Sequence, residues 1–143
     1  MFPKQDEISV NRENFTQSIT SAYPQLNKLQ RAALQYEYTN WINPEDEEEN
    51  RIAVDRYTGD HQFTCPVVDF AHRYAETGNN VYMYHFTHMA SNSPWPKWVG
   101  AMHADEVFFV FGRPLNLSFG YTAAEVTLAK DMMHYWSNFA KTG

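Results

Sequence analysis

Apolar residues recur at helical spacing along most of the chain. Phe15 and Ile19 fall on one face of a first short helix, which Tyr23-Pro24 ends, and Leu26, Leu29, Ala33 and Tyr36 mark a second. Asn43-Pro44 breaks this pattern, so residues 12 to 58 are expected as helices separated by polar joints. Between Asp60 and Tyr74 the apolar positions Val67, Phe70, Ala71 and Tyr74 again repeat with helical period. Pro66 is tolerated in a first turn there, and Gly78 suits the position just past the helix end. Near the end, Thr122 and Glu125 have capping-box spacing, and Val126, Ala129, Met133, Trp136 and Ala140 form one apolar stripe reaching toward Gly143.

One segment breaks the helical period. Val81-Tyr82-Met83-Tyr84-His85-Phe86 carries β-branched and aromatic residues on both parities, which predicts a strand buried on both faces, as in a largely parallel sheet with helices on either side. Val107 to Phe111 also has strand propensity. Helices flanking a buried strand predict an α/β architecture, mostly helical, with one or a few strands of a sheet. One strand cannot make a sheet, so the element count predicts a piece of a larger domain.

Composition adds bounds to this picture. At 143 residues, 43% hydrophobic and 16% aromatic, the chain has the apolar content of one globular domain. A formal charge of −6, from 17 acidic against 11 basic residues with no basic cluster, excludes a phosphate-tracking surface and hence nucleic-acid binding. Much of the acidity is one run, Glu45-Asp46-Glu47-Glu48-Glu49, expected as a solvated helix start or loop. No apolar run approaches the roughly 18 residues of a membrane span, and no secretory leader opens the chain. Cys65 is alone, so no disulfide closes within the chain. Two sequons, Asn14-Phe15-Thr16 and Asn116-Leu117-Ser118, make Asn14 and Asn116 glycosylation candidates and fit a secretory route.

The sharpest chemical candidate is His103, on the small-residue loop Gly100-Ala101-Met102-His103-Ala104 behind the tryptophan-rich run Pro94-Trp95-Pro96-Lys97-Trp98. An imidazole with an unperturbed pKa near 6.5 accepts and returns protons at neutral pH. From spacing alone, a hydrogen-bonded loop histidine is the commoner role. The nucleophile that such a base would serve is missing, because G-x-S-x-G occurs nowhere. His85 and His88 point to opposite faces of a strand, and with no H-E-x-x-H and no cysteine pair no metal site is expected. Residues such as Trp95, Trp98, Tyr82, Tyr84, Phe108, Phe109 and Phe111 are most often core; the lesser alternative is a pocket wall, where tryptophan faces attract quaternary ammonium ions.

Several separated motifs together resemble one family. Ser91-Asn92-Ser93-Pro94-Trp95-Pro96-Lys97-Trp98 through His103, then Glu106 and Phe109-Val110-Phe111-Gly112-Arg113-Pro114-Leu115, resemble the region around the catalytic histidine of cholinesterases, within the type-B carboxylesterases. So do Gly59-Asp60-His61-Gln62-Phe63-Thr64-Cys65-Pro66 upstream and Met133-His134-Tyr135-Trp136-Ser137-Asn138-Phe139-Ala140-Lys141-Thr142-Gly143 downstream. The likeness runs from about Val10 to the last residue and is greatest to invertebrate members.

The resemblance implies an α/β-hydrolase fold of which residues 1–143 are a C-terminal portion, truncated at both ends. It implies a serine hydrolase cleaving acetylcholine to choline and acetate, with His103 as triad base and with the serine, the acid and the oxyanion-hole glycines outside this chain. By the same likeness Trp95 and Met102 belong to the wall of the substrate gorge and Glu106 is a hydrogen-bonding support. Cys65 matches a cysteine whose disulfide partner lies beyond Gly143. No cofactor is implied. The implied partner is a small choline ester, the implied setting secreted or on the extracellular face of a synaptic membrane, and a homodimer is an assembly open to the parent. On this basis the chain alone is expected to be inactive. Two alternatives stay open: a non-catalytic adhesion protein of the neuroligin type, and a general carboxylesterase. The chain departs from the family at Ala104, where glycine is usual, and at Met89, where arginine is common. The resemblance also implies a short helical turn, instead of a strand, at 107–111.

Overall fold

The computed structural model describes residues 9–143, which divide into one unit ending at Val81 and another covering Tyr82–Gly143. In the first unit, Asn11 caps helix α1 (Arg12–Ala22) by accepting from the Asn14 backbone N–H at 2.8 Å. Tyr23 ends the helix in a non-helical conformation before Pro24, whose missing N–H and fixed ring prevent continuation. Helix α2 (Lys28–Tyr38) opens on a reciprocal capping box between Asn27 and Gln30. Its packed face differs from the expected one. Leu29 and Tyr36 are 79% and 67% exposed, whereas Leu34 and Tyr38, four apart, join Leu26 against the core. Leu26 precedes the cap, so it does not set the helical phase; the Leu34–Tyr38 pair does.

Helix α3 (Glu47–Gly59) begins in the acidic run. Asp46 accepts from the N–H groups of Glu48 and Glu49, and Glu47, Glu48 and Glu49 fill the first turn, where negative charge is favoured by the helix dipole. A π-helical turn over Asp60–Thr64 then leads directly into α4 (Cys65–Glu76). The Cys65 N–H reaches back to the Asp60 carbonyl, five residues away, just before Pro66, which has no N–H to give. The core of this unit is Phe15, Ile19, Tyr23, Ala53 and Tyr57. Tyr57 is its hub, with the rings of Phe15, Tyr23 and Tyr38 set edge-on at 6.5, 5.8 and 6.0 Å and its hydroxyl 3.0 Å from Ser18 Oγ. The helical stripe expected on α4 is present, yet only Ala71 is buried; Val67, Phe70 and Tyr74 remain 55%, 69% and 47% exposed.

In the second unit, residues 81–86 correct the strand expectation. No strand is assigned among the described residues, and Tyr82, Met83 and Tyr84 are 68%, 53% and 56% exposed instead of buried on both faces. A strand exists only through a ladder with a neighbour, which no described segment offers. The tyrosine rings lie edge-on to the last helix instead, Tyr82 on Phe139 at 6.1 Å and Tyr84 on Trp136 at 4.8 Å. The conflict at 107–111 resolves as helix: α5 spans Asp105–Val110. Helix α6 (Ala123–Thr142) starts at the Thr122–Glu125 capping box. Phe109 of α5 packs on Ala129 and Met132 of α6, flanked by Phe86, Ala90, Val110, Tyr121 and Leu128. Between the helices, Gly112 takes φ +70, a backbone conformation that favours glycine, and an added Cβ would stand 2.9 Å from Met133 Sδ and push that flexible side chain aside.

Candidate functional site

The segment carrying His103 is shaped by its backbone. A 3₁₀ turn at Lys97–Val99 is followed by Gly100 at φ 67, ψ −149, a region open essentially to glycine alone. Met102 and Asp105 then close a tight turn from both sides. The Met102 N–H donates to Asp105 Oδ2 at 2.9 Å, and the Asp105 N–H donates to the Met102 carbonyl at 3.1 Å. Inside that turn Ala104 adopts the left-handed conformation, φ 72 and ψ 7, the only non-glycine residue with positive φ among the described residues. Its carbonyl accepts from Val107, so α5 starts immediately after it. His103 is thus held at the apex of a hydrogen-bonded turn, exposed, directly before a helix N-terminus. An imidazole so presented is fit for proton transfer to and from a bound group.

Trp95, Met102 and Glu106 lie on the same segment as His103. Met102 and Glu106 are half-buried and Trp95 is 38% exposed. Glu106 occupies the first turn of α5. Burial, and then the Glu106 charge, raise the Tyr84 hydroxyl above its ordinary range. The other expected site residues lie elsewhere. Cys65 is an exposed free thiol at the start of α4, in the first unit. Asn14 is exposed in the first turn of α1, in a sequon whose middle residue, Phe15, is fully buried. Asn116 is exposed on the loop after α5, where its Oδ1 accepts from both the N–H and the hydroxyl of Ser118. His85 is exposed, and His88 turns to a carboxylate instead of sharing a ligand position with it.

That carboxylate, Glu125, is 1% exposed and accepts from five donors. Its Oε1 takes the Ser91 backbone N–H at 2.6 Å and faces His88 Nε2 at 3.0 Å. Its Oε2 takes the Ser91 hydroxyl at 2.6 Å, the Thr122 N–H at 2.7 Å and the Thr122 hydroxyl at 2.8 Å. Burial works against the charge, but the donors outweigh it and hold the carboxyl well below the usual carboxylate range. Sequence reasoning found only the Thr122 half of this cluster, through the capping-box spacing. His88 and Ser91 are 37 and 34 residues away from Glu125 and carry no local signal that would join them to it.

The chain is similar to known proteins along its whole length. A family model described as "Carboxylesterase family" matches residues 1–143. An acetylcholinesterase of Bungarus fasciatus is 44% identical over 142 residues, covering 99% of this chain and 23% of that protein. An acetylcholinesterase of Gallus gallus is 41% identical over 142 residues, covering 99% of this chain and 18% of the relative. The chain therefore spans about a fifth of the length of these two curated relatives.

Proposed function

The chain belongs to the carboxylesterase family, and from that premise we propose that it is the histidine-bearing part of an α/β-hydrolase domain in a secreted serine esterase that cleaves acetylcholine to choline and acetate. The observation that carries this reading is the His103 turn, placed in a sequence 44% and 41% identical to two acetylcholinesterases. His103 acts as general base toward a serine supplied by the rest of the protein. As the serine oxygen bonds to the ester carbon, the imidazole takes the hydroxyl proton; as the ester C–O bond breaks, it returns that proton to the choline oxygen. The same base then draws a proton from a water whose oxygen bonds to the acyl carbon, and gives it to the serine oxygen as the acyl–serine bond breaks and acetate leaves.

Within this reading Trp95 and Met102 form part of the substrate wall, with the Trp95 ring offered to the choline ammonium. Glu106 supports the turn from α5. Cys65 pairs with a cysteine beyond this chain, which suits its exposure at the start of α4. Of the two sequons, Asn116 on its exposed loop is the better acceptor than Asn14, which is already part of a helix. In this reading the protein acts outside the cell, and a homodimer is an assembly open to it. Separately, no helix among the described residues is long and apolar enough to cross a membrane. The test is His103→Gln in the full-length protein, assayed on acetylcholine and on a non-choline ester. Loss of at least about a thousandfold in kcat with both is expected. Unchanged activity would remove His103 from the mechanism, and preference for the non-choline ester would reassign the substrate.

A further inference from the structure

We propose that Glu125 is a positioning residue for His103, clamping both ends of the 91–105 loop to helix α6. The proposal rests on the reading of His103 as proton-transfer base.

The near end of the loop is held directly. Ser91, where the loop leaves the 82–90 segment, gives both its backbone N–H and its hydroxyl to the Glu125 carboxylate at 2.6 Å. The far end is held through one intermediary. His88, on Glu125 at 3.0 Å, sets its ring edge-on to Phe109 at 5.5 Å, and Phe109 lies on α5, the helix that His103 immediately precedes. Phe109 is 1% exposed and packs on Ala129 and Met132, one and two turns along α6 from Glu125. Thr122 adds two donors that fix the carboxylate to the start of the same helix. One buried group therefore holds the departure of the loop directly and its return through His88 and Phe109, next to the Met102–Asp105 turn that carries the histidine.

The chemistry of the cluster makes it sensitive to one atom. Each carboxylate oxygen accepts from a backbone N–H, Oε1 from Ser91 and Oε2 from Thr122, and a backbone N–H cannot reverse its role. In Glu125→Gln either orientation of the amide sets an NH₂ group against one of those donors. The side chain keeps its size, but one of the two tethers must open. Loop displacement of about an ångström is enough to cost roughly a hundredfold in rate when a base must meet its proton.

The experiment uses the full-length protein. Active sites are counted by stoichiometric titration of the reactive serine with a phosphylating ester, and turnover of acetylthiocholine is expressed per titrated site. For Glu125→Gln we expect kcat per site to fall by about 10- to 100-fold with KM changed by less than about threefold. A residue that only stabilises the fold would lower the number of sites and leave kcat per site at the wild-type value, and that result overturns the proposal. Should Glu125→Gln fail to accumulate, Ser91→Ala decides. It removes one donor of five at an exposed position, and kcat per site should fall by about 3- to 10-fold; an unchanged value again overturns the proposal. A wild-type protein with no titratable serine would instead refute the esterase reading on which the clamp depends, an outcome distinct from a titratable enzyme indifferent to Glu125.

Discussion

Ala104→Gly should stabilise the protein, against the usual expectation for removing a side chain. The perturbation acts at φ 72, ψ 7, where Ala104 is the only described non-glycine residue in the left-handed region. An L-residue there brings Cβ too near the following carbonyl, at a cost of about 1–2 kcal/mol that glycine does not carry. Glycine gives part of this back by widening the freedom of the unfolded chain, by about 0.4–1 kcal/mol. Ala104 also occupies the N-cap position of α5, where glycine is preferred to alanine. The balance is a gain of about 0.5–1 kcal/mol, read as a rise of about 2–3 °C in melting temperature for a cooperative unit of this chain's size, or a matching shift of the denaturant midpoint at constant slope. Ala104→Val, with a β-branched side chain in the same conformation, should move the midpoint down by at least as much. The hydrogen bonds around the turn, Met102 to Asp105 and Val107 to Ala104, use backbone groups that all three side chains leave in place, so the series isolates the backbone term. A Gly variant that melts below wild type, or a Val variant equal to it, would refute the claim that this turn holds its residue at positive φ.

Two further predictions concern pH. The folded carboxyl of Glu125 lies below its unfolded value of about 4.3, so its contribution is fully present above that pH and is lost as pH falls toward the folded value. Glu125→Gln should therefore be about 2–3 kcal/mol less stable near neutrality, judged from several charge-assisted bonds to a buried group, with the gap from wild type narrowing below about pH 4 in unfolding curves. Tyr38 behaves in the opposite sense: burial, then its 2.8 Å hydrogen bond to Asp60 and the charge there, push its hydroxyl up to about 12. The stability of that neutral hydroxyl is intact below the unfolded value of about 10 and is lost as pH rises through the folded one. Tyr38→Phe should lower stability by about 1 kcal/mol at neutral pH, and ultraviolet titration should lose its last-ionising tyrosine; titration curves of equal shape for the two proteins would contradict the assignment.

What was legible in the sequence follows the range of the physics. The cap at Thr122, the break at Tyr23-Pro24 and the acidic start of α3 are settled by neighbours a few residues apart, and each is where its spacing puts it. Side-chain burial depends on distant partners, and there the pattern misled: the apolar face of α4 is real as a stripe yet open as a surface. The 81–86 segment shows the same limit more sharply. Its β-branched and aromatic residues state what surface they suit, but a strand is a relation between two segments, and the second is not among those described here.

The site divides along the same line. Ala104 stands out only through the resemblance, which has glycine at that position, and its φ of 72 gives that departure physical content. The Glu125 cluster could not, since its donors at positions 88, 91 and 122 meet only after α6 has folded against the 82–90 segment. Local spacing explains the Thr122 bonds as an ordinary cap. A cap, however, is satisfied by the exchange between Thr122 and Glu125, and it does not require burial to 1% exposure or two bonds from Ser91. The surplus of donors over what a helix start needs is what ties this carboxylate to the histidine loop, and it places the control of His103 on a helix that its own turn never touches in sequence.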